Sequence, residues 1–531
     1  MKFLIIILLN LSIFSTIFAQ ELSNDLKQLS TRSFTKKATI VKKLVQDYHD
    51  NDNLPKALTA MLNGDLYYTK EEKKFVVIKK KEGTTYLAQE IFDEKQTLFY
   101  SKYALKKVKT NNKLRSIIRS QLAQMNLFSK KSEIRLKSAQ NILKHIDEDS
   151  KTLVQRALQD EKNNEVKKLL IEIDTIIQAK SSDKELQKKA VKNLGDYLSV
   201  QALQTLKEIS QGTSDKDVQA LAKKSIDSIK RSRSFYGFVE QAFFGLSLGS
   251  VLLLAAIGLA ITFGVMKVIN MAHGEMMMIG AYTTFSIQQI FPNLIEYSVL
   301  IAIPAAFIVS GIFGILIERL VIRHLYGRPL ETLLATFGIS LILQQLVRSV
   351  FSPLNQEVKT PSWMSGSLHV NSALSLTYNR LYIAIFAFLV FAGVLLILKK
   401  TSLGLKLRAV TQNRQMAQAM GIKTGFIDAM TFGIGSGIAG IAGVALSQLT
   451  NVGPNLGQAY IVDSFMVVVF GGVGNLWGTL IGALSLGEIN KFMEPYAGAV
   501  LAKVIILVFI ILFIQKRPRG LFPQKGRDAQ D

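Results

Sequence analysis

The 531-residue chain contains no cysteine. This excludes disulfides, thiolate metal sites and cysteine nucleophiles. Its five histidines, His49, His145, His273, His324 and His369, lie far apart, and none has metal-ligand spacing, so neither a metal nor a catalytic residue is expected. No G-x-x-x-x-G-K-[ST] phosphate loop occurs anywhere, so any nucleotide chemistry must come from another polypeptide. Residues 21–233 lack a long apolar run. There the basic excess, 43 Lys/Arg against 28 Asp/Glu, is spread evenly as on a solvated helical surface. The net charge of +24 therefore does not form a nucleic-acid patch, and no nucleic-acid partner is expected.

From Phe235 to Ile514 apolar runs dominate. About 20 apolar residues as a helix span a hydrocarbon core of about 30 Å, and helices satisfy their own backbone hydrogen bonds in lipid. Nine membrane elements are predicted, at about 242–264, 273–291, 297–318, 330–351, 380–398, 427–449, 460–472, 474–489 and 498–515, two of them short or broken. The start, MKFLIIILLNLSIFSTIFAQ, has the basic residue, apolar stretch and small Ala19 of a signal peptide, expected over 1–20. Residues 21–233 are then exported, and nine elements leave the C-terminus inside. The basic loops agree: Arg319, Arg323 and Arg328; Lys399 to Lys423; and the tail from Lys516 all fall on the inner side. The expected division is 1–20 signal peptide, 21–233 exported domain, 234–522 membrane domain and 523–531 cytoplasmic tail.

The exported region is expected to be mainly helical from about residue 110, with apolar residues three and four apart. KSAQNIL (137–143) resembles KKAVKNL (188–194), and IDTI (173–176) resembles IDSI (226–229). That offset suits HEAT-like helix pairs, which present surfaces to other proteins. LYYT, FVVI and TTYL, between about 65 and 90, predict a small β-hairpin. The fold class is thus an all-α polytopic membrane protein preceded by an exported, mainly α-helical HEAT-like domain.

Two stretches interrupt the apolar pattern. FGVMKVINMAHGEMMMIGAY (263–282) places Lys267, Asn270, His273, Gly274 and Glu275 between apolar runs, and FGGVGNLWGTLIGA (470–483) carries Gly471, Gly472, Gly474 and Asn475. Paired interrupted segments point to a transporter's central pathway. Asn270, His273, Gly274, Gly471, Gly472, Gly474 and Asn475 are therefore the candidate pathway residues. Glu275 is expected to pair with Lys267 as a structural element at the interface. GIGSGIAGIAG (433–443) has small residues four apart, a helix-packing pattern in lipid. The loop 398–426 is basic and contains an amphipathic helix suited to lipid headgroups or to a partner's groove. Within it Gly404 admits a turn, Arg408 reaches a partner carboxylate and Gly421 ends the helix.

VINMAHGEMMMIGAY, IERLVIRHLYGRPLETLLATFGIS, LGLKLRAVTQNRQMAQAMGI and VVVFGGVGNLWGTLIGA resemble, in that order, the signature stretches of the branched-chain amino acid and amide ABC permease family, over about 240–522. The exported extension and the tail RPRGLFPQKGR (517–527) resemble its larger urea-type permease subunit. The resemblance implies an ATP-driven, binding-protein-dependent importer, most simply of urea, with branched-chain amino acids or short amides as the alternative. It also implies a homologous second permease subunit, two cytoplasmic ATPase subunits that hold MgATP, and a periplasmic substrate-binding protein, all around a membrane-lipid-embedded chain that binds no cofactor itself. A urea channel or a membrane sensor fits less well, because the basic loop favours ATP coupling and only 17 residues follow Ile514.

Overall fold

The computed structural model describes residues 22, 24–48, 51, 53–91, 97–144, 146 and 150–522. The expected signal peptide, the tail 523–531, His49 and His145 lie outside these. The chain divides into two compact units, Met1–Ser232 and Arg233–Asp531.

The first unit opens with helices α1 (Phe34–Asp47) and α2 (Asn53–Asn63). The Ser33 hydroxyl accepts from Lys36 N and caps α1. Leu54, Leu58 and Met61 line the buried side of α2. A five-stranded antiparallel sheet follows: β1 (Leu66–Thr69), β2 (Phe75–Glu82), β3 (Thr85–Glu90), β4 (Thr97–Ser101) and β5 (Leu105–Lys107), in the order β4-β3-β2-β1-β5. The predicted hairpin is its centre. Strand alternation buries Leu66 and Tyr68 on one face, while Tyr67 meets Tyr86 edge-on at 6.0 Å on the other. The two outer strands escape sequence reading because TLFYS and LKK are short and mostly exposed.

Helices α3 (Asn112–Asn126), α4 (Ser132–Lys144), α5 (Ser150–Asp160), α6 (Asn164–Ala179), α7 (Lys184–Leu194) and α8 (Val200–Gly212) complete the unit with the first turns of α9 (Lys216–Met266). The similar stretches recur every three helices rather than every two: KSAQNIL lies in α4 and KKAVKNL in α7, IDTI in α6 and IDSI in α9. Matching positions are buried alike, Ala139 with Ala190, Leu143 with Leu194, Ile173 with Ile226 and Ile176 with Ile229. Asn163 and Asp183 cap α6 and α7 in the same way, each accepting two backbone N–H groups. Arg135 grips Glu161 with two bonds of 2.7 and 2.8 Å, holding the Glu161 carboxyl below its ordinary range.

The second unit contains the rest of α9, then α10 (His273–Ile290), α11 (Ile295–Leu320), α12 (Pro329–Val350), the hairpin β6 (Ser367–Asn371) and β7 (Leu374–Thr377), and α13 (Tyr378–Lys400). It continues with α14 (Ser402–Gln412), α15 (Arg414–Ala419), α16 (Thr424–Ser447), α17 (Leu456–Gly471), α18 (Leu476–Ala497) and α19 (Ala499–Lys516). A helix stands at each of the nine predicted membrane elements. Among the described residues, six helical stretches are long and apolar enough to cross a membrane, those of α9, α11, α12, α13, α16 and α19. The short α17 matches its prediction, whereas α18 continues through the polar stretch NKFMEPYA to reach 22 residues.

Helix α16 forms the centre of this bundle and is buried along nearly its whole length. The small-residue pattern of 433–443 accounts for that position. Gly435 faces the Gly258 backbone, Gly440 faces Ala306 and Ser310, and Gly437 faces Phe307. Small side chains let backbones approach closely where lipid gives no hydrophobic drive for association. At one end of the bundle Gln356 and Val452 exchange backbone hydrogen bonds, and Arg348 donates to Asn455 at 2.8 Å. At the other end α14 and α15 lie beside the ends of α9, α13 and α18.

Candidate functional site

Helix α10 does not begin where α9 ends. The Nε2 of His273 donates to the Ala255 carbonyl at 2.9 Å, eleven residues before the last residue of α9, or about 16 Å along a helix. The six intervening residues run back beside α9 before α10 starts, and Met271 N donates to the Thr336 hydroxyl on the way. The first turn of α10, with its unsatisfied N–H groups, therefore sits inside the bundle. Just before it Asn270 fixes the turn: Oδ1 accepts from Ala272 N at 3.0 Å, and the Asn270 carbonyl accepts from His273 N.

Three candidate residues meet here. Asn270 and His273 are 2% and 0% exposed, and both retain a buried polar atom without a hydrogen-bond partner, Asn270 Nδ2 and His273 Nδ1. A carbonyl can only accept, so the His273 proton is on Nε2 and Nδ1 is a bare acceptor. Gly274 meets α17: a Cβ at this position would lie 2.5 Å from the Gly457 carbonyl oxygen, so only glycine admits the approach. Glu275 departs from expectation. It is buried on α10 and accepts from Ser340 and Gln344 of α12, whereas Lys267 is exposed. Burial moves the carboxylate away from the interface where a lysine could meet it.

The second interrupted stretch occupies a different place. Gly471 and Gly478 bring α17 and α18 backbone to backbone, and Gly472 takes φ +104°, a conformation that side chains other than hydrogen resist. Asn475 Oδ1 accepts from Trp477 N and Gly478 N at 3.0 and 3.2 Å, while its Nδ2 donates to the Phe522 carbonyl at 3.2 Å. Gly474 and Asn475 line an open cleft of about 840 Å³. The same cleft is lined by Gly404 and Arg408 of α14, by Lys399, by Trp477 and by Arg519. The structure thus groups Gly474 and Asn475 with the basic loop rather than with Asn270 and His273. Three cations and no acidic residue line the cleft among the described residues.

The loop itself holds two short helices broken at Asn413, whose side chain caps α15 by accepting from Met416 N. Gly404 lies inside α14, capped by Thr401, and is needed because a Cβ would strike the Leu398 carbonyl. The expected turn at this glycine is therefore a close contact. Gly421, at φ +83°, follows the end of α15 as anticipated. Arg408 is exposed. Sequence reading missed a clamp beside it. Arg414 holds Asp428, at the start of α16, through both carboxylate oxygens, and its guanidinium stacks 4.1 Å from the Tyr326 ring centre beyond α11. Asp428 holds the Arg414 charge in place, raising its already high pKa further. The three residues are 14 and 88 positions apart, so no periodicity announces them. A further pair, Lys503 with Asp463 at 2.8 Å, ties α19 to α17.

Residues 241–514 match the family described as branched-chain amino acid transport system, permease component. BraD of Pseudomonas aeruginosa, a high-affinity branched-chain amino acid transport system permease protein, is 31% identical over 54% of this chain and 96% of its own length. LivH of Salmonella typhimurium, similarly described, is 32% identical over 55% of this chain and 97% of its own. A probable LivH of Methanocaldococcus jannaschii is 27% identical over 51% and 88%. No solved structure matches the chain. With its membrane unit matched from α9 to α19, this chain belongs to the branched-chain amino acid transport system permease family.

Proposed function

We propose that the chain is the larger permease subunit of an ATP-driven, binding-protein-dependent importer in a bacterial inner membrane, and that its solute is urea. The observation that carries the urea reading is one of coverage: BraD and LivH are used almost to their full length by only about half of this chain. The first unit has no counterpart in them, and a long exported helical extension is the feature by which the chain resembles urea-type subunits. In this reading residues 21–233 are exported after removal of residues 1–20, and residues 523–531 are cytoplasmic. A second permease subunit, two MgATP-binding ATPase subunits and a periplasmic binding protein complete the transporter. Arg408 and the α14–α15 loop engage an ATPase. Asn270, His273 and Gly274 belong to the translocation path, and Gly471, Gly472, Gly474 and Asn475 shape its loop-side end.

The second reading, import of branched-chain amino acids, has the printed descriptions of the relatives in its favour. Uptake of labelled urea and labelled leucine into vesicles containing the assembled transporter separates the two. ATP-dependent accumulation of urea without leucine supports the first reading, and the reverse pattern removes it.

A further inference from the structure

Glu275 is a membrane-buried carboxylate with half of its hydrogen-bonding capacity unused. It is 1% exposed. Oε1 accepts from Ser340 Oγ and Gln344 Nε2, both at 2.8 Å, while Oε2 is buried with no partner. The two donors belong to a row on α12: Thr332, Thr336, Ser340, Gln344 and Arg348 recur every fourth residue and so share one face of the helix. The first four are buried, and this row faces the start of α10 through Met271 and Glu275. Asn270 Nδ2, a few residues away, is a buried donor without a partner.

Packing alone does not require a carboxylate at this place. A glutamine would accept from Ser340 and Gln344 without bringing a charge into the bundle, where an unsatisfied charged oxygen is costly. Ionisable groups buried in a membrane bundle mark paths for polar solutes. Resting on the importer reading above, we propose that Glu275 is the acceptor, within the membrane, for the N–H donors of the transported solute. Urea presents amide N–H groups next to a carbonyl oxygen, and an amino acid presents an ammonium next to a carboxylate. In both, N–H donors meet Oε2, and the neighbouring oxygen meets a donor such as Asn270 Nδ2. The α12 row holds the carboxylate in place through its other oxygen.

The test uses the complete transporter, with binding protein and ATPase subunits, carrying Glu275→Gln or Glu275→Asp. In Glu275→Gln the maximal uptake rate falls about tenfold or more, the effect of losing hydrogen bonds to a charged acceptor. The half-saturating concentration, set by capture on the binding protein, is unchanged. Stimulation of ATP hydrolysis by loaded binding protein persists, and Glu275→Asp recovers part of the uptake. Labelled urea and labelled leucine run in parallel show which solute supplies the donors. Wild-type uptake in Glu275→Gln overturns the proposal. So does joint loss of assembly, stimulated hydrolysis and uptake in both variants, which marks Glu275 as a packing anchor. A wild-type transporter that accumulates neither solute overturns the importer reading instead.

Discussion

Asn475 holds the start of α18 with its oxygen and the Phe522 carbonyl with its nitrogen, so its substitutions separate two effects. Asn475→Ala removes both and lowers the stability of the assembled complex by about 1 kcal/mol, read as a lower unfolding temperature and accompanied by reduced uptake. Asn475→Asp keeps the capping oxygen and recovers most of that loss. Unchanged stability in the alanine variant would count against the cap. In the first unit Glu172 illustrates a different force. It is 5% exposed, and burial pushes its carboxyl above the ordinary glutamate range, partly offset by a bond to Ser199. A carboxyl whose folded pKa is raised weakens the fold above that pKa, and the penalty disappears below the unfolded value of about 4.3. Glu172→Gln therefore slows hydrogen exchange in α6 at neutral pH, with the gain vanishing near pH 4. Glu161, held low by Arg135, has the opposite sign: its contribution is present above the ordinary glutamate pKa and is lost as pH falls through the depressed value.

At the scale of elements, the two arginines of the loop between α13 and α16 stand in different settings. Arg408 is exposed in the cleft, whereas Arg414 is committed to Asp428 and Tyr326. Arg408→Glu is expected to weaken ATPase association or uncouple hydrolysis while the chain inserts normally. Arg414→Lys keeps the charge but loses the two-pronged bond and the flat stack. The expected result is normal ATPase association with fewer solute molecules moved per ATP. Co-purification together with the transport-to-hydrolysis ratio distinguishes these outcomes, and identical behaviour of the two variants would contradict the assignment. The elements themselves were largely legible in the sequence. Apolar runs mark the membrane helices, and β-prone stretches around KEEKK mark the centre of the sheet. Legibility stops where partners are distant. Nothing local in KSAQNIL or KKAVKNL says that the similar stretches recur every three helices. Likewise, Glu275 meets Ser340 and Gln344 rather than the nearby Lys267 because the chain runs back along α9 before α10 starts, a path set by tertiary packing.

On the scale of the whole molecule, three basic segments and the apolar start argue for opposite sides of the membrane for residues 21–233 and for the tail. Reporter fusions at positions 120 and 528 should report opposite sides, and agreement between them would end the nine-element topology. Sidedness matters because the proposed energy source acts from one side only. The chain has no phosphate loop, and in the proposed importer the work arrives through partner ATPases. Moving a two-state permease from about 1:99 to 99:1 takes a differential binding energy of about 5.5 kcal/mol, within reach of ATP closing an ATPase pair. The most direct measurement is therefore labelled urea uptake by the assembled transporter in sealed vesicles, beside a version whose ATPase subunits bind but do not hydrolyse ATP. Accumulation above the external concentration in the first and none in the second is the predicted result. Equal uptake in both, or concentration of urea by this chain alone, would contradict an ATP-driven permease.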